Sequence, residues 1–171
     1  MTLTEAGNQA AEAVLRRHRL TERFLVEMLG MQWHQVHEEA CRLEHFISGA
    51  VEDRVIASLN NPTTCPHGNP IPGSVANART YLKDQGAVRL STLANSEKAT
   101  ILLISEVVED EEALILYLHD KGLTPGTQLT LLTKEEESRS ADLHEENFKL
   151  LVDGHEVHIS GAVASNIWVT R

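Results

Sequence analysis

Aromatic rings are scarce in this chain, at 4% of 171 residues, and it has only two cysteines, Cys41 and Cys65. So few rings argue against an aromatic-lined groove of the kind that grips proline-rich segments. No apolar run approaches the roughly 20 residues that a membrane-spanning helix needs, so no membrane role is expected. The opening Met1-Thr2-Leu3-Thr4-Glu5 lacks the charged-then-apolar layout of a secretory leader. Two cysteines without such a leader suit a reducing cytoplasm, where thiols bind metal more often than they pair. A Cys41–Cys65 disulfide stays open as the rarer alternative. Positive charge is short as well. With 15 Lys and Arg against 25 Asp and Glu the net charge is −10, a poor match to a phosphate backbone. The remainder is ordinary for a globular chain: 42% hydrophobic, 23% charged, and long enough for one sizeable domain or two small ones.

Donor side chains concentrate in His37-Glu38-Glu39-Ala40-Cys41-Arg42-Leu43-Glu44-His45. On a helix His37, Cys41, Glu44 and His45 stand at offsets 0, +4, +7 and +8. At about 100° per residue they share roughly 100° of arc on one face. Imidazole, thiolate and carboxylate converging there suit a divalent transition metal, and the sulfur argues against magnesium or calcium. The plainer alternative is a helix that buries Cys41 and leaves Glu44 and His45 in water. His18 and Glu22 form a second pair, one turn apart on the preceding helix, which taken alone reads as a solvated imidazole beside a carboxylate. Cys65 and His67 lie two apart in Cys65-Pro66-His67-Gly68-Asn69-Pro70-Ile71-Pro72-Gly73, where a structural turn is favoured over a metal site.

Local signals divide the chain. Thr4 caps a long amphipathic helix that Gly30 stops. Met31 to Phe46 is predicted as the second helix, and Ser48 caps a third that ends at Asn60-Asn61-Pro62. Residues 74–85 are polar and without a strong period. Strands are then predicted at Ala87–Leu90, Thr100–Val108, Gln128–Thr133, Phe148–Val152, Glu156–Ile159 and Ile167–Val169. A short helix is expected over Glu111–Lys121, a charged loop over Lys134–Glu146, and a tight hairpin turn at Asp153-Gly154. There is no internal repeat.

Several segments, taken in order, resemble the diphtheria toxin repressor family of metal-dependent transcriptional regulators. They are Leu3-Thr4-Glu5-Ala6-Gly7, Arg17-His18-Arg19-Leu20-Thr21-Glu22-Arg23, Val36 to His45, and Gly68-Asn69-Pro70-Ile71-Pro72-Gly73. Gly122-Leu123-Thr124-Pro125-Gly126 resembles the turn of that family's C-terminal SH3-like, FeoA-type domain. The resemblance implies an α+β protein: an all-helical dimerisation and metal-binding domain over 1–73, a linker over 74–86, and a small SH3-like β-barrel over 87–171. The family's N-terminal winged helix-turn-helix is expected to be missing from the chain, which agrees with the acidic balance.

Carried over by position, the resemblance implies two metal sites. An ancillary site would use His18, Glu22 and His37, and a primary site Cys41, Glu44 and His45, with the Cys41 carbonyl as a further donor. Glu111 matches a carboxylate ligand from the SH3-like domain. The family's second ligand position there falls on Leu114, which cannot coordinate, and Glu112 is the alternative in a register shifted by one. Cys41, where manganese-responsive relatives often carry glutamate, tilts the expectation to Fe2+, with Mn2+ next and Zn2+, Co2+ or Ni2+ as substitutes in vitro. The implied function is a homodimeric, cytoplasmic metal sensor that meets operator DNA only through the domain missing here. The alternatives are a reader-less partner of an intact paralogue, buffering metal or forming heterodimers, and a metallohydrolase. No His-Glu-x-x-His or comparable arrangement supports the last, and no enzymatic activity is expected.

Overall fold

The computed structural model describes residues 4–105, 111–140 and 143–171, with side chains at all of these except 111, 136–140 and 143–145. It divides into two compact units, Met1–Tyr81 and Leu82–Arg171. The first is helical and the second is built on an antiparallel sheet, giving an α+β protein.

In the first unit α1 runs over Glu5–Leu29, with the Thr4 hydroxyl accepting from the Gly7 amide at its start. Gly30 ends it at φ 69°, its amide reaching back to the Leu25 and Val26 carbonyls. α2 spans Val36–Leu43 and α3 spans Gly49–Ser58, the latter capped by Ser48. α2 is shorter than the predicted Met31–Phe46. Its first residues are spent on a turn at Trp33–Gln35, which lets the chain reverse after Gly30. Glu44 is already the C-cap, so His45 falls beyond the helix.

Leu20 of α1 packs with Val55, Leu59 and Ile71 in a buried cluster flanked by Phe24 and Ile56. Ile71 thereby anchors the Pro- and Gly-rich segment to α1. Main-chain bonds from Cys65 to the Asn69 carbonyl and from Ile71 to the Thr63 carbonyl, at 2.9 and 2.8 Å, close that segment into a fixed turn. Side chains of α1 then hold its carbonyls. Arg19 donates to Pro70, Arg16 to Pro72 and Arg23 to Thr64. Gly73 has φ 78°, and a Cβ there would lie 2.6 Å from the Arg16 Nη1, so this close approach requires glycine.

The second unit holds six strands: β1 (Val88–Arg89), β2 (Lys98–Ile104), β3 (Gln128–Ser140), β4 (Leu143–Val152), β5 (His155–Ser160) and β6 (Ile167–Thr170). Their order is β1-β6-β2-β3-β4-β5 and every pairing is antiparallel. Short helices α4 (Tyr81–Asp84), α5 (Glu111–Asp120) and α6 (Gly161–Ala164) complete the chain in sequence order. Ile101, Leu131, Phe148, Leu150 and Ile167 form the buried side of the sheet.

The charged loop expected over Lys134–Glu146 is corrected. Lys134 to Ser140 extends β3, and Leu143 to Glu146 begins β4, with Lys134 opposite Phe148 and Glu137 opposite Glu145. A two-stranded ribbon is held by its backbone ladder, so its polar outer reach shows no apolar alternation. The Asp153-Gly154 turn joins β4 to β5 with both residues at positive φ, 47° and 82°. That is the geometry whose twist matches the flanking strands.

Candidate metal centre

α1 and α2 lie side by side, and three donor atoms meet between them. His18 Nε2 is 3.2 Å from Glu22 Oε1 and 3.1 Å from His37 Nδ1, and that His37 nitrogen is 3.4 Å from the same Glu22 oxygen. The i, i+4 spacing brings His18 and Glu22 onto one face of α1, and the packing of α2 adds His37. Nitrogen and oxygen ligands held at 2.0–2.1 Å around a tetrahedral ion stand about 3.4 Å apart, so this tripod has the dimensions of a metal site. His18 Nδ1 lies 2.8 Å from Glu44 Oε2. Donation to that carboxylate fixes the ring with Nε2 turned toward Glu22 and His37, the arrangement that orients a ligating histidine.

Cys41 Sγ lies 3.7 Å from His37 Nε2 and 3.9 Å from His18 Nδ1, so His18, His37 and Cys41 form one cluster of potential ligands. Glu44 is buried against His18, whereas the His45 side chain is 64% exposed and reaches only Glu44 Oε1, at 3.3 Å. The structure therefore brings His18, Glu22, His37, Cys41 and Glu44 together and leaves His45 at the rim. The Glu111 side chain lies outside the described residues, and Glu112 is exposed. Neither cysteine is in a disulfide.

A second cluster stands on the other side of Glu22. Glu22, Cys65 and His67 are all buried, and their donor atoms lie within 4.8 Å of one another. The His67 Nε2 donates to the Trp33 carbonyl at 3.2 Å, since a carbonyl can only accept, and the indole of Trp33 donates to the Pro66 carbonyl. In a neutral ring that donation leaves a lone pair on Nδ1. It faces Glu22 Oε2 at 3.6 Å and Cys65 Sγ at 4.0 Å. The first distance is too long for a hydrogen bond. Glu22 Oε2 is in fact a buried oxygen with no hydrogen-bond partner. A cation between a lone pair and an orphan carboxylate oxygen would satisfy both.

The sequence predicts a structural turn here, because two donors two apart are a weak signal. The third ligand comes from α1, and only the docking of the turn against that helix reveals it. Burial pushes the Glu22 carboxyl upward. The hydrogen bonds of His18 and His37, with the attraction of His67, more than offset this and hold it well below the usual carboxylate range. A buried ionised carboxylate calls for positive charge.

Comparison with known proteins follows the same division of the chain. Residues 4–73 match the model of the iron dependent repressor, metal binding and dimerisation domain, and residues 88–171 match the FeoA domain. The iron-dependent repressor IdeR of Mycobacterium tuberculosis is 42% identical over 138 residues, covering 78% of this chain and 60% of that protein. The diphtheria toxin repressor of Corynebacterium efficiens is 33% identical over 139 residues, covering 79% and 60% respectively. A manganese-dependent transcriptional repressor in complex with manganese has a TM-score of 0.80 at 32% identity, covering 99% of this chain and 75% of that one. The chain spans about 60% of the length of the curated relatives it matches.

Proposed function

Since the chain belongs to the diphtheria toxin repressor family of metal-dependent transcriptional repressors, we propose that it is the metal-sensing, self-associating part of such a regulator. The observation that carries this reading is the tripod of His18 Nε2, Glu22 Oε1 and His37 Nδ1, with mutual distances of 3.1–3.4 Å, His18 and Glu22 buried and His37 half-buried. His18 and Glu22 belong to α1 and His37 to α2, so a cation held there ties the two helices together. Cys41 Sγ lies against the other nitrogens of the two rings, 3.7 Å from His37 Nε2 and 3.9 Å from His18 Nδ1, and is assigned to a neighbouring centre with Glu44. His45 is assigned to the rim of the same centre, reached through Glu44.

The bound ion supplies charge and coordination, and drives no reaction. Its binding energy favours the conformation in which these helices are drawn together, and the protein's partners respond to that shift. Thiolate donors favour Fe2+ over Mn2+, while raw affinity in vitro favours Zn2+. The partner is a second copy of the chain. The first unit leaves Met28, Leu29, Phe46 and Val51 exposed, Phe46 at 86%, which is costly unless another surface covers them. The net charge of −10 disfavours direct contact between these 171 residues and a phosphate backbone. No helix among the described residues is long and apolar enough to cross a membrane, and we assign the protein to the cytoplasm.

Titration of the whole chain with Fe2+ under anaerobic conditions, and with Mn2+ and Zn2+, tests the reading alongside sedimentation analysis. Binding that weakens strongly in His37→Ala, by a chain that sediments as a dimer, is the expected result. Equal uptake by His37→Ala would remove the tripod as the sensing centre.

A further inference from the structure

Glu22 stands at the junction of the two donor clusters and belongs to both. Its Oε1 is held at 3.2 Å from His18 Nε2 and 3.4 Å from His37 Nδ1. Its Oε2 points the other way, at 3.6 Å from His67 Nδ1, and has no hydrogen bond. The side chain is fully buried, so it cannot turn out to water to satisfy the second oxygen. Among the described residues it is the one acidic donor grouped with Cys65 and His67.

We propose that Glu22 is a bridging carboxylate, one oxygen serving a cation in the His18–His37 tripod and the other a cation held by Cys65 and His67, so that the two positions fill interdependently. The inference rests on the metal-sensing reading above and adds a count and a coupling to it. A single ion in the tripod would leave Oε2 and the Nδ1 lone pair of His67 facing each other with nothing between them, an arrangement that is unfavourable in a dry interior. Each ion therefore fixes the carboxylate that the other needs, and by linkage each raises the affinity of the other by the same factor.

The two positions also draw on different parts of the chain. The tripod joins α1 to α2, and the second position joins α1 to the turn that Ile71 anchors. Filling both would fix three segments through one side chain.

Co2+ is the probe of choice, because it accepts thiolate and a carboxylate shared between two such ions couples their unpaired electrons. The whole, unaltered chain is titrated with Co2+, with bound ion counted by equilibrium dialysis and its state read by electron paramagnetic resonance. The expected result is one ion more per chain at saturation than the double variant Cys65→Ser/His67→Ala takes up, with the spectrum of a coupled pair in place of isolated ions. In that variant the tripod ion should bind about 5–150-fold more weakly than in the unaltered chain. Isolated-ion spectra in the unaltered chain would overturn the bridge. So would an equal ion count in the double variant, or a tripod ion that it binds as tightly as before. The spectrum of the unaltered chain decides the matter even if the double variant does not fold. A chain that takes up no divalent cation of any kind would remove the metal-sensing reading itself, a different failure from two ions that ignore each other.

Discussion

Cation binding should raise the melting temperature of the first unit selectively, and the chain carries the means to see it. It has two tryptophans, one in each unit: Trp33 beside His67 and Trp168 on β6. In a Trp168→Phe chain all tryptophan fluorescence reports on the first unit. At free cation equal to 100 times its dissociation constant, a single site that exists only in the folded state adds about 2.7 kcal/mol. For a unit the size of Met1–Tyr81, each kcal/mol moves the midpoint by about 4–8 °C, which gives a rise of about 11–22 °C. The donor set refines the estimate. Unfolded cysteine and histidine also bind Zn2+, so zinc should fall at the low end and Mn2+, which takes thiolate poorly, at the high end. The assay is a fluorescence melt at fixed protein concentration, with a chelator added afterwards to restore the original midpoint. A Trp33 midpoint that stays put at saturating cation would refute the reasoning. So would an equal rise in a Trp168→Phe/His37→Ala chain, since the tripod would then be irrelevant.

Acid should weaken the metal-free chain through Glu22. Its folded pKa is depressed, so its contribution to stability is fully present above the unfolded value of about 4.3 and is lost as pH falls through the folded value. Urea midpoints measured against pH should show this limb, and Glu22→Gln should flatten it. Metal affinity should fall earlier in the same direction, because the histidines and thiols must lose protons to coordinate; competition with a chelator of known affinity measures it. Arg19→Ala removes the charged donor to the Pro70 carbonyl and should lower first-unit stability by about 1.5–3 kcal/mol in a urea melt followed by Trp33. Phe148→Ala opens a cavity in the sheet, where the ring is fully buried. It should cost about 3–5 kcal/mol, seen as a lower midpoint of the Trp168 signal with cation binding unchanged.

Where a structural cause was local, the sequence already displayed it. Thr4, Ser48 and Gly30 work within one turn of themselves, and each caps the helix end that its chemistry indicates. Asp153 and Gly154 bear the positive φ values that their types permit. Causes that act between distant segments were hidden. The helix carrying His37 was expected from Met31 because its residues have helical character, but the reversal after Gly30 takes the first of them for a turn. His45 was placed on the ligand stripe by extending the helix past Glu44, which is where it stops. The polar arms of β3 and β4 gave no alternation to read, because their partner is each other's backbone and not a core. Cys65 and His67 lacked a third donor until Glu22 arrived from another element, and nothing in their own spacing identifies it.

The grip of α1 on the Thr64–Pro72 turn has a consequence for how such a protein can change over time. Arg16, Arg19 and Arg23 hold carbonyl oxygens, which every residue type provides, and they ignore the side chains of the turn. With Ile71 seated beside Leu20, these bonds set the course of the turn from α1. A substitution at Arg16, Arg19 or Arg23 would therefore displace Cys65 and His67 without touching either of them.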